Sequence, residues 1–230
     1  MAIPIIFSIL YTIYIYVAVK IIIGSNMLIS INSITKSNVG TKFIGDFFVT
    51  LFVPLILIMI YRKRLIEFKL QFMHTYLQYI LIGVMILFFI LHRDFTIRGY
   101  YKFFFYLVVV SFSEELVFRG YVYNELLRHN KLLAVIVSGF FWGIFHAILP
   151  GLLAGDGLGQ IGIRMLSEIG GGIITGYYFI YLLEKSKSLF IPINIHAILD
   201  YQVGGIGVIV AIATGVYFFM LDRKKLQKPL

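Results

Sequence analysis

The chain has 230 residues, of which 60% are hydrophobic and only 13% charged, with a net charge of +9 and no cysteine. A soluble domain is roughly 45–50% apolar and about 25% charged, so the composition excludes a soluble globule and points to an all-α, polytopic membrane helix bundle. The missing cysteine excludes a disulfide framework, a thiolate zinc site and a cysteine nucleophile.

A membrane-spanning helix needs about 20 mostly apolar residues. Eight such runs follow one another, at 3–23, 43–61, 77–92, 103–127, 132–150, 165–183, 189–202 and 203–221. The first lacks a basic n-region and a small-residue cleavage site, so it is expected to be a span rather than a signal peptide. Residues 24–42, rich in Ser, Asn, Gly and Thr, are an external loop. Residues 65–76 set Leu65, Phe68, Phe72 and Tyr76 against Glu67, Gln71 and His74, the spacing of a helix lying in the interface.

Basic residues fall in short clusters between the apolar runs, which orients a chain in lipid and gives no reason to invoke nucleic acid. Arg62, Lys63, Arg64, Lys69, Arg128, Lys131, Lys185, Lys187, Arg223, Lys224, Lys225 and Lys228 lie on one side. The other side has only Lys36, Lys42, Arg93, Arg98, Lys102 and Arg164. The twofold excess places both termini in the cytoplasm, with the chain multi-pass in the cell membrane. With no repeat and no low-complexity tract, one membrane domain covers 1–230.

Ionisable groups deep in a bilayer each cost about 2.5–3.5 kcal/mol on insertion scales, yet three spans carry several. The fourth has Ser113, Glu114, Glu115 and Arg119; the fifth has His146; the seventh has His196 and Asp200. Glu115 and Arg119, four apart, share a helix face and are expected to pair. Glu114 points about 100° away and must find another partner. His196 and Asp200 also share a face, and Trp142 forms an aromatic wall one turn from His146. Pro192 is expected to kink the seventh span by removing a bond to Ser188. Gly139/Gly143 and Gly172/Gly176 have the small-xxx-small spacing that lets helices approach closely; Gly170 and Gly171 add to the glycine content of the sixth span.

Other polar residues have plainer readings. Asp46 and Glu168 fall near span ends and are expected to be solvated, and His129 belongs to an interfacial loop. The 16 Tyr and 22 Phe are expected to face lipid and its interface. Ser113 ranks low as a nucleophile, because no Ser–His–Asp or Ser–Lys set accompanies it.

Three motifs follow in order: Glu114-Glu115-x-x-x-Arg119, Trp142-x-x-x-His146 and His196-x-x-x-Asp200. Over 110–202 they resemble the CAAX prenyl endopeptidase and bacteriocin-processing (CPBP, Abi) family of intramembrane proteases, which also includes bacteriocin immunity proteins; the motif core spans about 103–202. The resemblance implies an endopeptidase whose glutamate and histidine activate water without a covalent intermediate. Carried over, Glu114 is the general base and His146 orients and polarises the water. His196 and the residue at 200 support the oxyanion; Glu115, Arg119 and Trp142 brace the site. The substrate is a peptide or protein in or at the membrane.

One position departs from the pattern. The third motif ends in Asp200 rather than Asn, and an ionised carboxylate cannot donate to an oxyanion. Asp200 is then protonated, or orients His196, or joins Glu114, His146 and His196 as ligand of a divalent metal such as zinc. The metal-free route is preferred because the resemblance favours it. Two rivals stand beside the enzyme: a non-proteolytic immunity or regulatory scaffold of the same fold, and a transporter or proton relay. The latter predicts inverted repeats or paired broken spans, and none is visible.

Overall fold

A computed structural model describes residues 1–226, with side chains to Arg223; Lys228, counted among the basic residues above, lies outside them. The chain is an all-α membrane bundle. Eight helices of eleven residues or more form it among the described residues: α1 (Ala2–Gly24), α2 (Val39–Ile60), α3 (Thr75–Leu91), α4 (97–127), α5 (Lys131–Leu153), α6 (Leu158–Ser186), α7 (Phe190–Asp200) and α8 (Ile206–Leu226). Five of them (α1, α2, α5, α6 and α8) are long and apolar enough to cross a membrane.

Caps and lipid-facing surface explain the elements. Asn130 caps α5 by accepting from Leu133 N, and Thr96 caps α4 by accepting from Gly99 N. These caps start α4 six residues earlier than hydropathy predicts, because Thr96 satisfies a first-turn donor that the polar stretch 97–102 would otherwise expose. In α1, Tyr11, Ile15, Val19 and Ile22 are buried, while Ile3, Ile6, Leu10, Ile13 and Ile21 are exposed. A helix apolar on its outward face as well as its inward one is built to meet hydrocarbon.

Successive helices run in opposite directions, as contacts between their ends show. At one end the Met1 amino group meets His129, Lys131 meets Glu184, and Arg128 meets Glu67. At the other, Tyr201 meets Asp94 and Arg98 reaches the Asn32 carbonyl.

The closest packing joins α5 to α6. A Cβ on Gly172 would stand 2.5 Å from Gly143 Cα, and one on Gly143 would stand 2.6 Å from the Glu168 carbonyl. The expected small-residue contact therefore holds for Gly139, Gly143, Gly172 and Gly176. Gly170 and Gly171 face open space.

Helix α4 is wound unusually. Its backbone takes π-helical geometry over Phe105–Phe112 and Leu116–Tyr123, with a single α turn at Ser113–Glu115 between them. π-Turns are rare and concentrate at functional positions.

Three expectations need correction. Residues 65–74 are not an interfacial helix but a strap of turns. Phe68 is buried against Tyr61 and Tyr121, and Lys69 and His74 take left-handed backbone, which a helix does not allow. The strap grips the start of α7: Leu189 N donates to Lys69 O at 2.8 Å, and Ser188 Oγ donates to Gln71 O at 2.6 Å. Pro192 does not kink a helix, because α7 begins at Phe190 and its first turn has no carbonyl waiting for the missing N–H. Asp46 is not solvated. It lies buried in α2, where Lys42 Nζ at 2.5 Å and Tyr101 Oη at 2.7 Å donate to its two oxygens.

Candidate active site

Helices α4, α5 and α7 bring the ionisable residues of the three motifs together. The isolated α turn of α4 carries Glu114 and Glu115 on different faces, and both are buried. Glu115 faces inward to Arg119, with 3.2 Å between Oε1 and Nη1. The guanidinium lies between two rings, 4.9 Å from Trp142 and 5.1 Å from Phe179. Nothing in the sequence singled out Phe179; it also stacks on His196, with centroids 5.1 Å apart.

Glu115 also holds His196. Its Oε1 accepts from His196 Nδ1 at 2.9 Å, so the other ring nitrogen, Nε2, is turned toward Glu114 and Asp200. Nε2 is 3.6 Å from Asp200 Oδ2 and 3.9 Å from Glu114 Oε2. Asp200 is too distant to fix the ring by a hydrogen bond. Of the roles considered for Asp200, orienting His196 therefore falls to Glu115.

His146 is fixed from within its own helix. Its Nδ1–H donates to the Trp142 carbonyl at 2.8 Å, which can only accept, leaving the Nε2 lone pair free. That Nε2 lies 3.7 Å from Glu114 Oε2. The same oxygen accepts from Trp142 Nε1 at 2.7 Å. Trp142 is thus more than an aromatic wall, because its N–H anchors the carboxylate.

One carboxylate oxygen accordingly faces two imidazole nitrogens at 3.7 and 3.9 Å. Direct hydrogen bonds are shorter than this; the 3.7 Å separation of Glu114 from His146 is one that a bridging water spans. The His146 and Asp200 side chains are 37% and 33% exposed, whereas those of Glu114 and His196 are 6% exposed. The cluster therefore opens past His146 and Asp200 and closes behind Glu114. Ser113 is buried and donates to the Val108 carbonyl, which occupies its hydroxyl.

As donors, Glu114, His146, His196 and Asp200 are acceptable metal ligands by type. Their facing atoms stand 3.6–3.9 Å apart, and among the described residues no closed group of three His, Asp or Glu ligands is formed.

Residues 96–202 match the family model described as type II CAAX prenyl endopeptidase, Rce1-like, and this bears out the resemblance carried by the three motifs. That family is one of proteases, which supports a protease here. No curated protein and no solved structure matches the chain significantly.

Proposed function

We propose that this chain, which carries the Rce1-like type II CAAX prenyl endopeptidase core over residues 96–202, is an intramembrane endopeptidase working through water activated by Glu114 and His146. The observation that carries this reading is the meeting of Glu114 Oε2 with two imidazole nitrogens from separate helices.

In the proposed reaction, Glu114 removes a proton from a water that His146 Nε2 orients by accepting its other hydrogen. The water oxygen bonds to the peptide carbonyl carbon, and the C=O electron pair moves onto oxygen. His196, with both ring nitrogens protonated, turns Nε2–H toward that oxyanion. When the pair returns, the C–N bond breaks, and Glu114 passes its proton to the departing nitrogen. Burial makes each of these charge interactions stronger than it would be in water. The exposed side of His146 and Asp200 supplies solvent.

The substrate is a membrane-associated peptide or protein, and the family description makes a prenylated cysteine near a C-terminus the first to try. The enzyme is multi-pass in the cell membrane with both termini cytoplasmic, in keeping with the basic loops. The test uses protein in liposomes and an internally quenched peptide, with and without a farnesylated cysteine. Cleavage of either by wild type, with loss in Glu114→Ala and His146→Ala at normal protein level, is the expected result. No cleavage of either peptide, or equal cleavage by the variants, overturns the reading.

A further inference from the structure

Tyr11 is a buried polar residue that the reaction above does not use. It lies midway along α1, 3% exposed, and its hydroxyl has no hydrogen-bond partner among the described residues. Its neighbours place it beside the site. The ring stacks on Phe145, the residue before His146, with centroids 5.9 Å apart at 17°. On the other side it meets Phe118, one turn beyond Glu114, at 6.1 Å.

A phenol in this position would usually be replaced by phenylalanine, since burying an unpaired hydroxyl weakens a fold and the ring alone fills the space. Retaining the oxygen makes sense when a partner arrives during turnover. The site also has a matching need. Asp200 lies on the open side of the cluster, and an ionised carboxylate there repels an oxyanion rather than donating to it.

From the stacking of Tyr11 between Phe118 and Phe145 and its unpaired, buried hydroxyl, we infer that Tyr11 is a further catalytic residue, donating its O–H to the substrate's carbonyl oxygen as that oxygen becomes an oxyanion. The phenol keeps its proton throughout; the bond strengthens as charge develops and relaxes when the C–N bond breaks. This inference rests on the proposed endopeptidase activity.

Tyr11→Phe tests it, with the farnesylated or unfarnesylated quenched peptide that wild type cleaves. The expected result is a fall of about a hundredfold in kcat with KM little changed, and a melting temperature equal to wild type or higher. Tyr14→Phe, which loses only a bond to the Phe48 carbonyl, serves as control and keeps full activity. A Tyr11→Phe variant within twofold of wild type overturns the inference. So does an activity loss that merely tracks a lowered melting temperature. If wild type cleaves and Glu114→Gln is dead, such a failure belongs to Tyr11 alone; if wild type does not cleave, the endopeptidase reading falls and this inference with it.

Discussion

Trp142 donates its indole N–H to the one Glu114 oxygen that also faces His146 and His196, at 2.7 Å. A hydrogen bond to a charged group contributes about 1.5–3 kcal/mol. Trp142→Phe keeps a ring against His146 but frees the carboxylate to rotate. The expected outcome is a loss of about 10- to 100-fold in kcat/KM with the melting temperature lowered by several degrees, measured by peptide cleavage and thermal unfolding in detergent.

Glu115 and Arg119 should separate from Glu114 in the same pair of measurements. Removing one partner of a buried ion pair costs about 3–5 kcal/mol, and Arg119 is fully buried with Nε and Nη2 unpaired among the described residues. Arg119→Met therefore lowers stability and yield, and activity falls as a result. Glu114→Gln leaves the melting temperature near wild type while removing the base, a loss of at least about 100-fold in rate.

Neighbouring glycines in α6 predict opposite responses. A methyl at Gly172 would strike the α5 backbone at 2.5 Å, and backbone cannot swing away. Gly172→Ala is expected to cost about 1–3 kcal/mol and to lower activity by parting α5 from α6. At Gly171 a Cβ meets nothing within 4 Å, so Gly171→Ala stabilises by up to about 1 kcal/mol through helix propensity. Comparing the two melting temperatures checks both.

Acid should loosen the far end of α7. Burial alone would push the Asp94 carboxyl up, but hydrogen bonds from Tyr201 and Lys102 outweigh it and hold it below its ordinary value of 3.8. A depressed carboxyl contributes its stability in full above that ordinary value, and loses it as pH falls through the lower folded one. Melting temperature should therefore drop below about pH 4 in wild type, and the slope should be shallower in Asp94→Asn. Tyr201 follows Asp200 directly, so cleavage activity should show the same difference between the two proteins.

Hydropathy makes the eight helices legible, because lipid-facing segments have no reason to interrupt an apolar run. The candidate site is legible for the same reason: Glu114, His146 and His196 are conspicuous where charge is costly. The contacts that organise them are not. Glu115 and His196 are 81 residues apart in the chain, and no local pattern joins them or brings Phe179 over the imidazole. The strap 65–74 misleads because its amphipathic spacing is genuine, while its left-handed turns fall on Lys69 and His74 rather than on Gly or Asn. Asp46 misleads because Tyr101, 55 residues later, supplies one of its two donors.

The shortness of α7 has its own consequence. Eleven residues make a rod of about 16 Å, roughly half the depth of an ordinary hydrocarbon layer. Eight of those eleven residues are buried within the bundle, so neighbouring helices rather than lipid surround the rod. Tied by the strap at its start and by the Tyr201–Asp94 bond at its finish, it carries His196 and Asp200 on one short piece, so the two shift together or not at all.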